Sequence, residues 1–406
     1  MVLPTTYPAG CYCEILLSPG KVWVLADSLR AARRFYKYTD VDEPAAARQW
    51  QLQLCRALGL TGRIHVAGEG INGTVGGCAS GTALYTMAME RHAVWGQIFG
   101  GIDFKSSAGD ASAFPNLFIK CCTEIIALGR SPADISWRDC GQHLEPAEFH
   151  RMLLEHAAQQ QRQPSEPPEG SSGSDEDLFL LDCRNMYAHS SEDRRRSRFF
   201  RPFFAVFTLI FGLDRYESEI GRFDGATRCP TRHFTEFPTV ADKMIEDHNL
   251  REKTVLMYCT GGIRCERASA YLRSMGVERC FQLSGGIARY CEHQKMWQAE
   301  AEGQASQGSQ GSQGSQGCGV PSSARSLFRG RNFVFDRRLS IAGSGGVAEV
   351  GRCAVCLSAW ESYDRSFSCR ECSALVLVCA GCRPQYRSGS KKSVRAELKC
   401  TYCASK

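Results

Sequence analysis

Residues 254–276, TVLMYCTGGIRCERASAYLRSMG, constrain the fold more than any other stretch of the chain. The apolar run Val255-Leu256-Met257-Tyr258 has the length and continuity of a strand buried on both faces. It stops at Cys259 and passes through a tight turn, Thr260-Gly261-Gly262-Ile263-Arg264. A helical pattern follows, Cys265, Ala268, Leu272 and Met275, and Gly276 closes it. A buried strand that turns directly into a helix is the repeating unit of a parallel α/β sheet, whose sites lie at the carboxyl ends of the strands. A sulfur at that end faces backbone N–H groups and the positive end of a helix, and both favour thiolate over thiol.

The neighbouring sequence repeats the unit. LFLLDCRN (178–185), KTVLMYC (253–259) and RCFQLSGG (279–286) are buried-strand candidates, with helices expected at 265–276 and about 287–298. Residues 178–300 therefore read as a doubly wound α/β domain. Asp182 and Arg184 close the first strand and read as a structural ion pair under the site. Gly285 and Gly286 read as a tight strand-to-helix turn at its border.

Toward the N-terminus the pattern changes. CYCEILL (11–17) reads as a strand, and residues 45–58 carry Trp50, Leu54 and Leu58 at helical spacing. GRIHVAG (62–68) is a strand that returns through the glycine-rich segment 68–77. Asn72-Gly73 there is an ordinary hairpin signal, favoured over an RNA contact by Glu69 or Asn72. A helix at 80–92 and strands at 102–107 and 116–122 complete a split βαβ, ferredoxin-like α+β domain over 11–129. Residues 130–158 read as a connector ending in a helix, with Phe149, Met152, Leu153 and His156 on one face.

Two segments have nothing to bury. Residues 159–177 are polar, rich in Pro, Gly and Ser and acidic at their end, a disordered linker. Residues 302–326 open with SQG repeats, a flexible spacer. The apolar run Phe199–Leu213 is about five residues short of a membrane span. It also contains Arg201 and Pro202, so it reads as a buried helix or an irregular insertion. The N-terminus shows no basic region followed by a long apolar core, so no signal peptide is expected.

Within the loop, Arg264 follows Cys259 after four residues, and Cys265 stands where a cysteine phosphatase has its arginine. The ring is one residue too small for phosphate and suits a smaller group, such as a single sulfur. Arg264 either stabilises a thiolate or an anionic substrate, or forms a salt bridge at the helix start. Cys265 either resolves a persulfide or disulfide on Cys259, or is a core cysteine of the helix.

The C-terminal region, residues 327–406, carries four Cys-x-x-Cys pairs: Cys353 and Cys356, Cys369 and Cys372, Cys379 and Cys382, Cys400 and Cys403. Gaps of 12, 6 and 17 residues separate them. Eight thiolates at these spacings fit two tetrahedral zinc sites, paired either sequentially or cross-braced. An iron–sulfur cluster is the lesser alternative. A disulfide set suits a secreted chain, and the reading here is reduced and intracellular, cytoplasmic with an organelle as the alternative, and with no membrane partner. About 80 residues of low apolar content need such a staple to fold. Lys391, Lys392, Arg395 and Lys399 nearby fit either RNA contact or a solvated basic face, and the net charge of +6 permits a nucleic-acid partner.

CTGGIRCERASAYL (259–272) with LSGGIARY (283–290) resembles a rhodanese domain. AGEGINGTVGG (67–77), FPNLFIKCCTEIIALG (114–129), GQHLEPAEF (141–149), YESEIGRFDGA (216–226) and RNFVFDRR (331–338) resemble one subgroup, the tRNA uridine(34) hydroxylases and their eukaryotic rhodanese-like relatives. The resemblance implies an acylphosphatase-like N-terminal domain, a central rhodanese domain and oxygen-dependent 5-hydroxylation of the wobble uridine of tRNA. It implies that Cys259 is the catalytic cysteine and residues 260–264 its loop. The family reads its Asp-x-Arg-Asn-x-Tyr-Glu segment unbroken, whereas here it stops at Tyr187 and resumes at Tyr216-Glu217. Residues 188–215 are thus an insertion, read as a gene-model artefact with a lineage-specific loop as the alternative. Transcript reads joining codon 187 to 216 identify the artefact, and reads through the insert identify the loop.

Three functions follow in order. The first is tRNA wobble-uridine hydroxylation. The second is a thiosulfate sulfurtransferase carrying a persulfide on Cys259, with a small sulfur compound as substrate. The third is a non-catalytic zinc- and RNA-binding adaptor, against which the intact loop counts. No flavin, haem or facial-triad iron signature is evident.

Overall fold

The computed structural model describes residues 12–17, 20–25, 29–108, 113–161, 177–185, 217–231, 233–307, 326–343, 350–371, 374–387, 398–400 and 403. The expectations for the apolar run 199–213, the insertion 188–215, Lys391, Lys392 and Arg395 lie outside these residues. The chain divides into two compact units, residues 1–127 and 128–406.

In the first unit, β1 (Tyr12–Leu17) and β2 (Gly20–Leu25) form an antiparallel hairpin. A mixed sheet follows: β3 (Arg30–Tyr38), β4 (Thr61–Ala67), β5 (Gly70–Cys78), β6 (Lys105–Ala108) and β7 (Leu117–Cys121), in the order β6-β3-β5-β4-β7. Helices α1 (Pro44–Ala57), α2 (Ala79–Arg91) and the short α3 (Trp95–Phe99) connect them. The order β6-β3-β5-β4 is the ferredoxin-like arrangement, and β7 adds a parallel edge beside β4.

The first strand of that arrangement is β3, not the expected 11–17. In β3 the buried side chains Ala32, Phe35 and Tyr38 recur every third residue. That period mimics a helix, although β3 pairs continuously with β5.

The expected hairpin turn at Asn72-Gly73 is also corrected. The turn is at Gly68-Glu69, and Asn72 and Gly73 pair with His65 and Ile64 inside the ladder. Gly73 is required by packing, because a Cβ there would lie 2.8 Å from the Phe35 ring and 3.0 Å from Ile64. Glu69 and Asn72 face inward: Glu69 Oε1 accepts from the Ile125 N–H at 2.8 Å, and Asn72 Nδ2 donates to the Ile125 carbonyl at 3.0 Å.

The second unit is built on a parallel sheet of β8 (Gln142–Leu144), β9 (Leu178–Asp182), β11 (Thr227–Arg228), β12 (Thr254–Tyr258) and β13 (Cys280–Leu283), in the order β11-β9-β12-β13-β8. Helices α4 (Pro146–Gln161), α5 (Phe237–His248), α6 (Ile263–Ser274) and α7 (Gly286–Gln307) accompany it. The segment 130–158 is therefore more than a connector, since β8 is an edge strand of this sheet and α4 packs Phe149 and Leu153 into its core. Helices α4 and α7 also run into the segments expected as linkers, to Gln161 and Gln307.

A smaller antiparallel sheet ties this domain to the cysteine-rich tail: β10 (Gly221–Phe223), β14 (Phe328–Phe333) and β15 (Ser340–Ala342). Phe223 and Phe328 join the core of the parallel sheet, while Ile220 and Phe333 join the core of the tail. Among its described residues the tail holds a short helix, α8 (Arg383–Arg387), and two isolated β-bridges, Arg352 with Ala359 and Ser368 with Leu375, and its core gathers around the cysteines. No helix among the described residues is long and apolar enough to cross a membrane.

Candidate active site and metal-binding cysteines

Every residue of β12 is buried, and Cys259 follows it directly with 0% exposure. The loop to α6 turns at Gly262, whose φ of 103° suits glycine. The Gly262 N–H donates to Cys259 Sγ at 3.1 Å. Gly286 presses the loop from the other side: its φ is 63°, and a Cβ there would lie 2.5 Å from the Cys259 carbonyl oxygen. The Ile287 N–H donates to that carbonyl at 3.0 Å and the Ala288 N–H to the Thr260 carbonyl at 3.2 Å, so the start of α7 fixes the shape of the loop.

Burial by itself pushes the Cys259 thiol up. It is overcome by the Cys265 thiol donating to the sulfur, by the Arg264 guanidinium and by the Gly261 and Arg264 N–H groups, which together hold Cys259 well below the ordinary thiol range. Cys265 moves the opposite way, raised by burial and by hydrogen bonds to Cys183 and Cys259. Cys265 is thus hydrogen-bonded to both Cys183 and Cys259.

Arg264 does not project toward an open cleft. Its Nη1 and Nη2 donate to Glu217 Oε1 and Oε2 at 2.5 and 2.6 Å, and Glu217 is fully buried. Thr260 Oγ1 donates to Glu217 Oε2 at 2.5 Å, so one carboxylate ties both ends of the loop. Ile263 opens α6 between them. Phe335, just after β14, lies against the guanidinium, its ring centroid 5.6 Å from Cζ.

Asp182 and Arg184 form a fully buried ion pair one layer below. Arg184 Nε and Nη2 bind the Asp182 carboxylate at 2.6–3.1 Å, and its Nη1 and Nη2 also donate to the Glu217 and Gly221 carbonyls at 3.0 and 2.7 Å. Tyr258 Oη donates to Asp182 Oδ2 at 3.0 Å. Arg184 thus positions the Glu217 backbone and, through it, the carboxylate that holds Arg264.

Glu217 was not among the residues singled out from sequence. Its signal was the Tyr216-Glu217 step at which the interrupted family segment resumes.

The tail cysteines gather in two sets. The ligand atoms of Cys353, Cys356, Cys379 and Cys382 lie within 4.8 Å of one another, with Cys356 and Cys379 Sγ 3.6 Å apart. Cys369, Cys400 and Cys403 form the second set, and Cys372 lies outside the described residues. The first pair joins the third, and the second joins the fourth, so the geometry is cross-braced. Four soft donors converging at this separation fit a tetrahedral metal ion.

Residues 31–125 match the UPF0176 acylphosphatase like domain, residues 170–293 the Rhodanese-like domain and residues 329–404 the Rhodanase C-terminal domain. A tRNA uridine(34) hydroxylase of Rhodococcus jostii is 31% identical over 353 residues, covering 86% of this chain and 95% of that protein. A second, from Pseudarthrobacter chlorophenolicus, is 29% identical and covers 86% and 92%. Rhodanese-like domain-containing protein 6 of Arabidopsis thaliana is 32% identical over 86% of this chain, which spans half the length of that plant protein. The chain belongs to the tRNA uridine(34) hydroxylase family.

Proposed function

We propose that this protein hydroxylates carbon 5 of the wobble uridine in tRNA, with Cys259 as the catalytic residue and Thr260–Arg264 as its loop. The observation that carries the reading is a fully buried cysteine inside a family-matched loop whose Gly262 N–H donates to its sulfur at 3.1 Å, a setting that favours the thiolate. A thiolate can add to carbon 6 of a uracil ring, which moves electron density to carbon 5, the atom that receives the oxygen. Loss of the carbon-5 proton with expulsion of the thiolate then restores the ring double bond. In the oxygen-dependent reaction that the family resemblance implies, one atom of O2 is transferred to carbon 5 and the other leaves as water, which requires a two-electron reductant of the thiol or reduced-nicotinamide class supplied from outside the chain.

Arg264 acts as a positioning residue in this scheme. Glu217 neutralises most of its charge and fixes it beside the sulfur. Asp182 and Arg184 support Glu217 from below. Cys265 donates its S–H to the thiolate, which favours the role of thiolate stabiliser over that of an inert core cysteine. The tail is proposed to hold two zinc ions, one in each cross-braced set.

The test is mass spectrometry of digested tRNA from cells lacking the gene, with and without the wild-type chain. Loss of 5-hydroxyuridine derivatives that the wild type restores supports the proposal. Unchanged tRNA together with thiosulfate:cyanide sulfur transfer by the purified protein would replace it with the sulfurtransferase reading, which the same thiolate also suits.

A further inference from the structure

We propose that Cys140, His143 and Glu266 form a third metal site, separate from the tail, that takes a divalent ion of the zinc class with water as its fourth ligand. The ligand atoms of the three residues lie within 4.8 Å of one another. They come from the short turn after Trp137–Asp139, from β8 and from α6, so the site joins the edge strand to the helix that follows Cys259. His143 Nε2 is 2.9 Å from Glu266 Oε1. A thiolate, an imidazole and a carboxylate are together a borderline-soft donor set suited to zinc, and three protein ligands leave one coordination position open. His143 is 48% exposed at its side chain, so water can reach that position, while Glu266 at 8% anchors the buried side.

The surroundings are built as the outer layer of a metal site requires. Gln282, 1% exposed, donates through Nε2 to Glu266 Oε2 at 3.0 Å and to the Gly141 carbonyl at 3.0 Å. It is therefore Nε2, the donor end of the amide, that faces the cluster and fixes the carboxylate in place. The backbone between the first two ligands is also fixed. Ser269 Oγ accepts from the Gly141 N–H at 2.8 Å, and Arg273 Nη1 donates to the Cys140 carbonyl at 3.4 Å. Gly141 leaves no room for a side chain, since a Cβ would lie 2.5 Å from the Cys280 carbonyl oxygen. Hydrogen-bonded carboxylates and a preset backbone orient ligands before the ion arrives. Cys140, His143 and Gln282 all hydrogen-bond the Glu266 carboxylate, so the three ligands and the amide behind them form one connected cluster in which a metal ion would replace the protons on Cys140 and His143.

Cobalt(II) is the probe, because a bound thiolate gives it a charge-transfer absorption that oxygen and nitrogen ligands do not. The full-length protein, its tail already loaded with zinc, is titrated with cobalt. The expected result is one further ion per chain, with a charge-transfer band that Cys140→Ala removes. Glu266→Gln should weaken binding, and Gln282→Ala should weaken it about 10–100-fold, the usual effect of losing a carboxylate's outer partner. Cys140 is only partly buried, so its alanine variant should keep the wild-type thermal unfolding profile even if Glu266→Gln does not. Absence of any band beyond the zinc-loaded protein, or the same band and affinity in Cys140→Ala, would overturn the proposal. Neither result depends on tRNA or on Cys259.

Discussion

Glu217 and Arg264 are joined by two short hydrogen bonds with both side chains almost fully buried, and this ion pair sets the geometry of the cysteine loop. The arginine expected to serve the thiolate or a substrate is committed to a carboxylate from a distant segment. Its influence on Cys259 is electrostatic and positional. Removing one partner of such a pair strands the other charge in the interior, so Glu217→Ala should destabilise the second unit by about 3–5 kcal/mol. Urea unfolding followed by tryptophan fluorescence checks this, and an unchanged midpoint would contradict it.

The acid limb of the activity profile reports the Cys259 thiolate. Its folded pKa lies below the ordinary thiol value, so activity should persist below the ordinary thiol pKa and fall as pH drops through the folded value. The thiolate's share of stability is full above the ordinary thiol pKa and is lost as pH falls from there to the folded value, ahead of the loss of activity. Removing the Cys265 donor raises the Cys259 pKa toward the ordinary value. Cys265→Ala should therefore move the acid limb to higher pH, and Cys265→Ser, which keeps a donor, should move it back. A purely packing role for Cys265 would leave the limb where it is.

Gly286 tests whether the loop shape matters. Gly286→Ala places a methyl group against the Cys259 carbonyl and the loop N–H groups at a φ of 63°. Strain at such a position is typically about 1–3 kcal/mol, and relieving it here requires the loop to move. Turnover should fall more than stability does, and comparing kcat with the thermal midpoint separates the two. A variant with wild-type turnover would contradict the tight contact.

The cross-braced tail makes a prediction that sequential pairing reverses. Replacing Cys353 and Cys379 together by serine removes two ligands from one set and should release one zinc. Replacing Cys353 and Cys369 together weakens both sets and should release two. Elemental analysis of each double variant against wild type decides. The opposite pattern would establish sequential pairing.

Local features were legible in the sequence, and contacts across long separations were not. Cys259, its loop and the Asp182–Arg184 pair announced themselves because strand, turn and helix are contiguous. Glu217 did not, because its partners Thr260 and Arg264 lie 43 and 47 residues away. Strand β3 was hidden by the three-residue recurrence of its buried side chains. Asn72-Gly73 was misread because a glycine demanded by the Phe35 ring looks, in sequence, like a glycine demanded by a turn. The cysteine spacings allowed either pairing, and only the fold of the tail separates them. Cys140, His143 and Glu266 could not be grouped from sequence, since β8 joins β13 and faces α6 only once the sheet has formed.

The central claim is that the Cys259 thiolate performs the reaction on tRNA. Its most direct test is rescue of cells lacking the gene by Cys259→Ala at wild-type protein level, with wobble-uridine hydroxylation read by mass spectrometry of digested tRNA. The account predicts that wild type restores 5-hydroxyuridine derivatives and that Cys259→Ala restores none. Restoration by Cys259→Ala would contradict it.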